Sequence, residues 1–201
     1  MMTPPRFSPI ARRVNRARCR LATLINDQRG NGVIEFALGL PIMLIIYFGS
    51  LNISDAIIVQ RKVVAATRAL ADLTTQGSSF TTITLKNSVF QGAQLDIAPY
   101  PLSNISMYVT EIYTDSNGVS TIQWSEQDIG GTIGANTQTG YATGSVITVW
   151  SNVAVKNTYQ IIGQTTYNYS PVIANSFIGS FPITETITMG PRASANISFT
   201  T

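Results

Sequence analysis

At 201 residues the chain has room for one modest folded domain besides an anchor, and 44% apolar against 11% charged residues excludes a disordered chain. It has no histidine and one cysteine, Cys19, which excludes an intrachain disulfide, a Cys/His metal cluster and a Ser-His-Asp set. The net charge of +3 is uneven: residues 1–29 carry seven arginines against Asp27, residues 30–76 balance, and residues 77–201 carry three basic against six acidic side chains, so the basic excess is a property of the tail and not a nucleic-acid-binding surface on the folded part.

Met1 to Gln28 contains Pro4, Pro5 and Pro9 and an Arg-rich patch, Arg12 to Leu21. It reads as a disordered leader that sets orientation, or as a short surface helix on anionic lipid. Arginines ahead of an apolar helix hold the N-terminus in the cytoplasm and direct the remainder outward. The intact apolar run that follows argues against a mitochondrial transit peptide. Its length, with no small-x-small cleavage site after it, argues against a secretory signal.

The chain is organised around Arg29 to Ser54. Gly30, Asn31 and Gly32 lead to a lone carboxylate, Glu35, and then Phe36 to Ser54 gives 19 residues without charge. As a helix this run spans roughly 28 Å, the thickness of the hydrocarbon core, and predicts a transmembrane helix. Pro41 removes a backbone donor and predicts a bend. Ala37 to Pro41 and Ser50 to Ser54 are small-residue spacings that permit close helix contact.

Glu35 has two readings. It can sit at the interface, where an ionised group costs little, or it can enter the bilayer with a cationic partner from another chain, because burial alone costs about 2.5–3.5 kcal/mol. Cleavage after Gly30 would make Asn31 the N-terminus and place a free ammonium one turn from Glu35, so that each could pair with its opposite on a neighbour.

Asp55 to Gln76 lacks Pro and Gly and continues the helix, with Ile53, Ile57, Val64, Leu70 and Leu73 as its expected apolar face. Unbroken from Val33 to Thr75, it would be roughly 65 Å long. Gly77, Ser78 and Ser79 end it. Phe80 to Ala98 predicts a weaker helix stopped by Pro99 and Pro101. From Ile105 the period changes to two. Ser106 to Thr114, the turn Asp115-Ser116-Asn117-Gly118 and Val119 to Trp124 predict a hairpin. Glu126 to Gly144 reads as a loop. Ser145 to Val155, Thr158 to Tyr169, Phe181 to Met189 and Ala195 to Thr200 read as further strands.

The expected fold class is therefore α+β: a long N-terminal transmembrane helix continuing into a soluble domain of one or two helices and an antiparallel sheet of about 4–6 strands. The expected divisions are a basic cytoplasmic leader (1–30), a transmembrane helix (31–54) and an exported domain (55–201), helical over 55–98 and strand-rich over 105–200.

Gly30, four residues, then Glu35-Phe36 and an apolar run resemble the processing site of type IV pilin-like proteins. Glu-Phe followed by Ala-Leu-x-Leu-Pro, Glu35 to Pro41, resembles the TadE/TadG-like proteins of the tight-adherence (Flp) pilus system. Ala69 to Leu73, Ala98-Pro99-Tyr100-Pro101, Tyr167 to Pro171 and Met189-Gly190-Pro191-Arg192 extend the resemblance over about residues 30–192. It implies a pseudopilin in the bacterial inner membrane, N-terminus cytoplasmic and C-terminal domain periplasmic or extracellular. It further implies cleavage between Gly30 and Asn31 by a prepilin peptidase, and pairing of Glu35, beside Phe36, with the amine of an adjacent pilin or pseudopilin subunit at the pilus assembly platform. The alternative is an uncleaved, signal-anchored surface adhesin or binding module.

No enzyme, cofactor, nucleic-acid partner or small-molecule substrate is expected. Gly130-Gly131 with Gly134 is not a phosphate loop, because no Gly-Lys-Ser/Thr follows. Glu126 and Asp128 read as a solvated loop, with an acid pair or cation ligands as the sharper option. Asp115 and Asn117 read as turn formers. The Asn-x-Ser/Thr patterns at Asn52, Asn104, Asn168 and Asn196 are expected by chance in this composition.

Overall fold

The computed structural model describes residues 31–149, 153–171 and 179–200. The chain divides into two compact units after Ser50. The first contributes the apolar part of helix α1, which runs over Asn31–Thr75 with Pro41 inside it. From Val33 to Phe48 its large apolar side chains are exposed.

The second unit begins at Leu51 and is α+β. After α1 comes a short strand, β1 (Ser79–Thr81), and a second helical stretch, α2, over residues 82–95. Thr81 and Thr84 form a reciprocal capping box at its start, which satisfies donors that the first turn leaves free. Its middle, Leu85–Phe90, is a π segment that buries Leu85, Val89 and Phe90. The sheet strands are β2 (Ile105–Thr114), β3 (Ser120–Ile129), β4 (Thr132–Ala135), β5 (Val146–Ile147), β6 (Thr158–Tyr169) and β7 (Phe181–Met189). The order is β4-β3-β2-β6-β7, with β5 beside β3, and every pairing is antiparallel. A final strand, β8 (Ser198–Thr200), pairs in parallel with β1 as a separate ribbon.

One face of the sheet receives the helices. Val59, Val63, Ala66 and Leu70 of α1 form a buried stripe at spacings of four and three, as one helix face requires. They meet Leu85, Val89, Phe90 and Ala93 of α2 and Met107, Val109, Trp124, Ile161, Tyr167 and Tyr169 of the sheet. Gly163 lies where α1 crosses β6. A Cβ there would stand 3.2 Å from the Ala71 Cβ and 3.5 Å from the Thr67 carbonyl oxygen, so the missing side chain sets how closely the helix packs. The other sheet face carries a smaller cluster, Ile112, Ile122 and Ile162, covered by Tyr141, Ile147 and Val149.

The structure corrects four expectations. Of the expected apolar face of α1, Leu70 and Leu73 pack inward but Ile53 and Ile57 are exposed, because the helix turns toward the core the face through Val59, Val63, Ala66 and Leu70. Residues 126–129 are not loop: β3 continues to Ile129 and turns at Gly130-Gly131 into β4. Both glycines have positive φ, +58° and +87°, as a two-residue hairpin demands. Among the described residues, Ser145 to Val155 supplies the two residues of β5, and Ile147 and Val149 fold over the back of the sheet rather than extending the ladder. The last strand is confined to Ser198–Thr200 and leaves the main sheet for β1.

Candidate functional site

The expected processing residue Gly30 lies outside the described residues. Asn31 is the first residue of α1, and Glu35 follows one turn later. Glu35 and Phe36 are exposed, and Glu35 has no ion pair among the described residues. Pro41 lies within the helix, which continues unbroken through it. Among the described residues this end of α1 presents apolar side chains and one carboxylate.

A second constellation forms where the uncharged run ends. Asp55 is the first charge after Glu35 in the chain. The Tyr100 hydroxyl donates to its Oδ1 at 2.6 Å and the Tyr169 hydroxyl to its Oδ2 at 2.8 Å, with the Asn52 carbonyl oxygen also 3.4 Å from Tyr169. Each carboxylate oxygen thus holds a phenol, one from the turn before β2 and one from the end of β6. Tyr167 packs edge-on to Tyr100 with ring centroids 6.1 Å apart, and Phe181 packs on Tyr169 at 5.4 Å. Two turns further along α1, Lys62 Nζ donates to the carbonyl oxygens of Asp96 (3.3 Å) and Ala98 (2.5 Å), tying down the end of the α2 region. Burial, and then the bond to Asp55, push the hydroxyls of Tyr100 and Tyr169 up to about 12, so both remain donors at neutral pH.

The far end of α1 is closed by the last residues. The backbone N–H groups of Arg192 and Ala193 donate to the Thr75 carbonyl oxygen at 2.9 and 3.3 Å, and Arg192 pairs with Asp72 at 2.7 Å. These contacts satisfy a carbonyl that the helix end leaves free and set a cation by the negative end of its dipole. The Ile197 N–H then donates to Glu111 Oε1 at 2.7 Å, while the Trp124 indole donates to the Ile197 carbonyl oxygen at 2.9 Å. Glu111 and Trp124 are opposed on β2 and β3, so one cross-strand pair grips both polar groups of one residue.

Sequence reading singled out Tyr100, Tyr167 to Pro171 and Arg192 only as parts of signatures. The structure gives them work: the first two meet at Asp55, and Arg192 caps α1. Asp55 itself was missed, although its place as the first charge beyond a membrane-length run was visible. Glu126 and Asp128 are buried in β3 rather than solvated. Among the described residues, Glu126 Oε2 and Asp128 Oδ1 have no hydrogen-bond partner, while Gln94 of α2 donates to Asp128 Oδ2. Burial pushes both carboxyls up, with the Gly131 N–H, Gln94 and Lys86 opposing the shift at Asp128. No group of three or more potential ligands for a metal occurs among the described residues. Asp115 shapes its turn by accepting from the Asn117 and Val119 N–H groups at 2.9 and 2.8 Å.

Residues 30–72 match the family model described as TadE-like protein. That segment covers the expected processing residue, the whole apolar run, Asp55 and the whole packing stripe from Val59 to Leu70. No curated protein and no solved structure matches the chain.

Proposed function

From the TadE-like match over residues 30–72, we propose that this chain is a pilin-like structural component of a tight-adherence (Flp, type IVb) pilus or a related secretion machine. The observation that carries the proposal is the register of that match, which begins at Gly30 and takes in Glu35-Phe36 and the 19-residue uncharged run. One helix, Gly32–Thr75, is long and apolar enough to cross a membrane. The charge asymmetry supports an inner-membrane span with the N-terminus cytoplasmic and the α+β unit outside. A prepilin peptidase cuts between Gly30 and Asn31, and the new amine stands one turn from Glu35. Glu35 then pairs with the amine of an adjacent pilin or pseudopilin subunit as the helices enter the assembly platform, and the pairing offsets the cost of holding either charge in lipid. Pro41 bends the inserted helix to fit its neighbours.

The first test is the N-terminal sequence and intact mass of the protein from its own membranes, with and without the peptidase. A start at Asn31 that needs the peptidase is expected. A start at Met1 in both strains would leave a signal-anchored binding module instead. The second test is Glu35→Ala, which should leave insertion and cleavage intact and abolish piliation. Normal piliation in that variant would sink the pairing role.

A further inference from the structure

The two ends of the sheet differ in charge. At one end lie the pairs Ile105↔Tyr167, Ser106↔Ile129 and Tyr169↔Phe181, and at the other Thr114↔Ser120, Thr114↔Thr158 and Ile161↔Met189. The segments that build the first end, residues 99–105, 129–134, 167–171 and 179–184, contain no charged residue at all. The second end carries Asp115, Lys156 and Arg192, with Asp72 beside them. The uncharged end also exposes large apolar side chains: Leu102 and Phe181 by more than a third, Ile129 by 44% and Leu95 by 77%. Two of the charges near it are engaged, Asp55 by two tyrosines and Lys62 by two carbonyl oxygens, and the Asp96 side chain is exposed at its rim.

This end is also where α1 enters the unit, through the bond from Tyr169 to the Asn52 carbonyl, inside the last residues of the uncharged run. Apolar side chains on segments without charge, beside the half-buried Tyr100 and close to where the uncharged run ends, have the composition of a membrane-interface belt. We infer that the Leu102–Ile129–Phe181 end of the exported unit seats on the outer leaflet of the bilayer, so that lipid covers it. The Asp55 clasp then lies at the boundary, where its carboxylate is shielded by phenols rather than left facing hydrocarbon. The opposite, charged end faces water.

The inference rests on α1 spanning the bilayer and not on the pilus role. It is tested on the full chain in vesicles of phosphatidylethanolamine and phosphatidylglycerol. Single nitroxides are placed by Leu102→Cys, Phe181→Cys, Val119→Cys, Val146→Cys and Ile45→Cys, each in a Cys19→Ser background. Collision with oxygen, which partitions into lipid, is compared with collision with a water-soluble nickel chelate. The oxygen-to-nickel ratio at 102 and 181 should be several-fold above that at 119 and 146 and approach that at 45. Equal ratios at the two ends with a lipid reading at 45 would overturn the seating while keeping the span. Shielding of 102 and 181 from both reagents would assign the surface to a protein partner and also overturn it. A water reading at 45 would remove the span and the seating together. A Leu102→Asp change should lower the ratio at a label on residue 181, leaving the line shape at 119 unchanged as the check on folding. An unaltered ratio at 181 would count against lipid contact.

Discussion

Asp55 shows how a single side chain can organise the place where a long uncharged run ends. A carboxylate there is stable only if its lone pairs are met, and two phenols meet them from distant parts of the sequence. Tyr169→Phe should lower the unfolding free energy by about 1.5–3 kcal/mol, the range for a bond to a charged group, as read by urea unfolding of the detergent-solubilised chain. The phenols also set an alkaline limit. Their folded values near 12 exceed the ordinary 10.0, so their contribution is full below pH 10 and is lost as the pH rises from 10 toward 12. Unfolding midpoints should fall across that window in the parent and fall less in a Tyr100→Phe, Tyr169→Phe double variant. The tyrosines were legible only as fragments of a resemblance. Nothing in local spacing tells that residues 45 and 114 positions away from Asp55 arrive at its two oxygens.

At the scale of elements, legibility followed how each element hides its apolar surface. The helix through the uncharged run was plain, because 19 residues without charge are long enough as a helix to cross a bilayer. The packing stripe of α1 was not, because Ala66, Thr67 and Ala71 approach the sheet while the larger Ile53 and Ile57 point away. β2, β6 and β7 alternate and were read correctly. The second half of β3 was missed because its inward positions after Trp124 are Glu126 and Asp128, which look like surface residues. Gly130-Gly131 between two short runs was nonetheless a hairpin signal. The close approach of α1 to β6 yields an element-scale prediction. Gly163→Val should cost about 1–3 kcal/mol by overpacking against Ala71. The same change at Gly134, where a Cβ would meet nothing within 4 Å, should be nearly neutral. Paired urea curves of the two variants test this.

For the molecule as a whole, three carboxyls on the helix-covered face of the sheet shape the dependence on acidity. Burial raises Glu111, Glu126 and Asp128 above their ordinary values of 4.5, 4.5 and 3.8. A raised folded value means that stabilisation is complete below the ordinary value and is lost as the pH climbs through the folded one. These groups therefore favour folding in mild acid and oppose it at neutrality. Glu126→Gln should raise the unfolding free energy at neutral pH by about 1–3 kcal/mol, since Oε2 is buried without a partner. The gain should shrink in mild acid, where the parent carboxyl is itself protonated. A gain of equal size at both pH values would show that packing, not charge, is responsible.

The ribbon of β1 and β8 also governs when the chain can finish folding. The strand that directly follows α1 pairs with residues 198–200, the end of α1 is capped by Arg192, and the buried Glu111 is met by the Ile197 N–H. A polypeptide made from its N-terminal side presents residues 192–200 after the helix, the early strand and the sheet that they lock. Until they are in place, that early strand lacks its mate and a core carboxylate lacks its donor. Folding of the unit is thereby ordered in time: helix and sheet can form first, and the closing contacts follow.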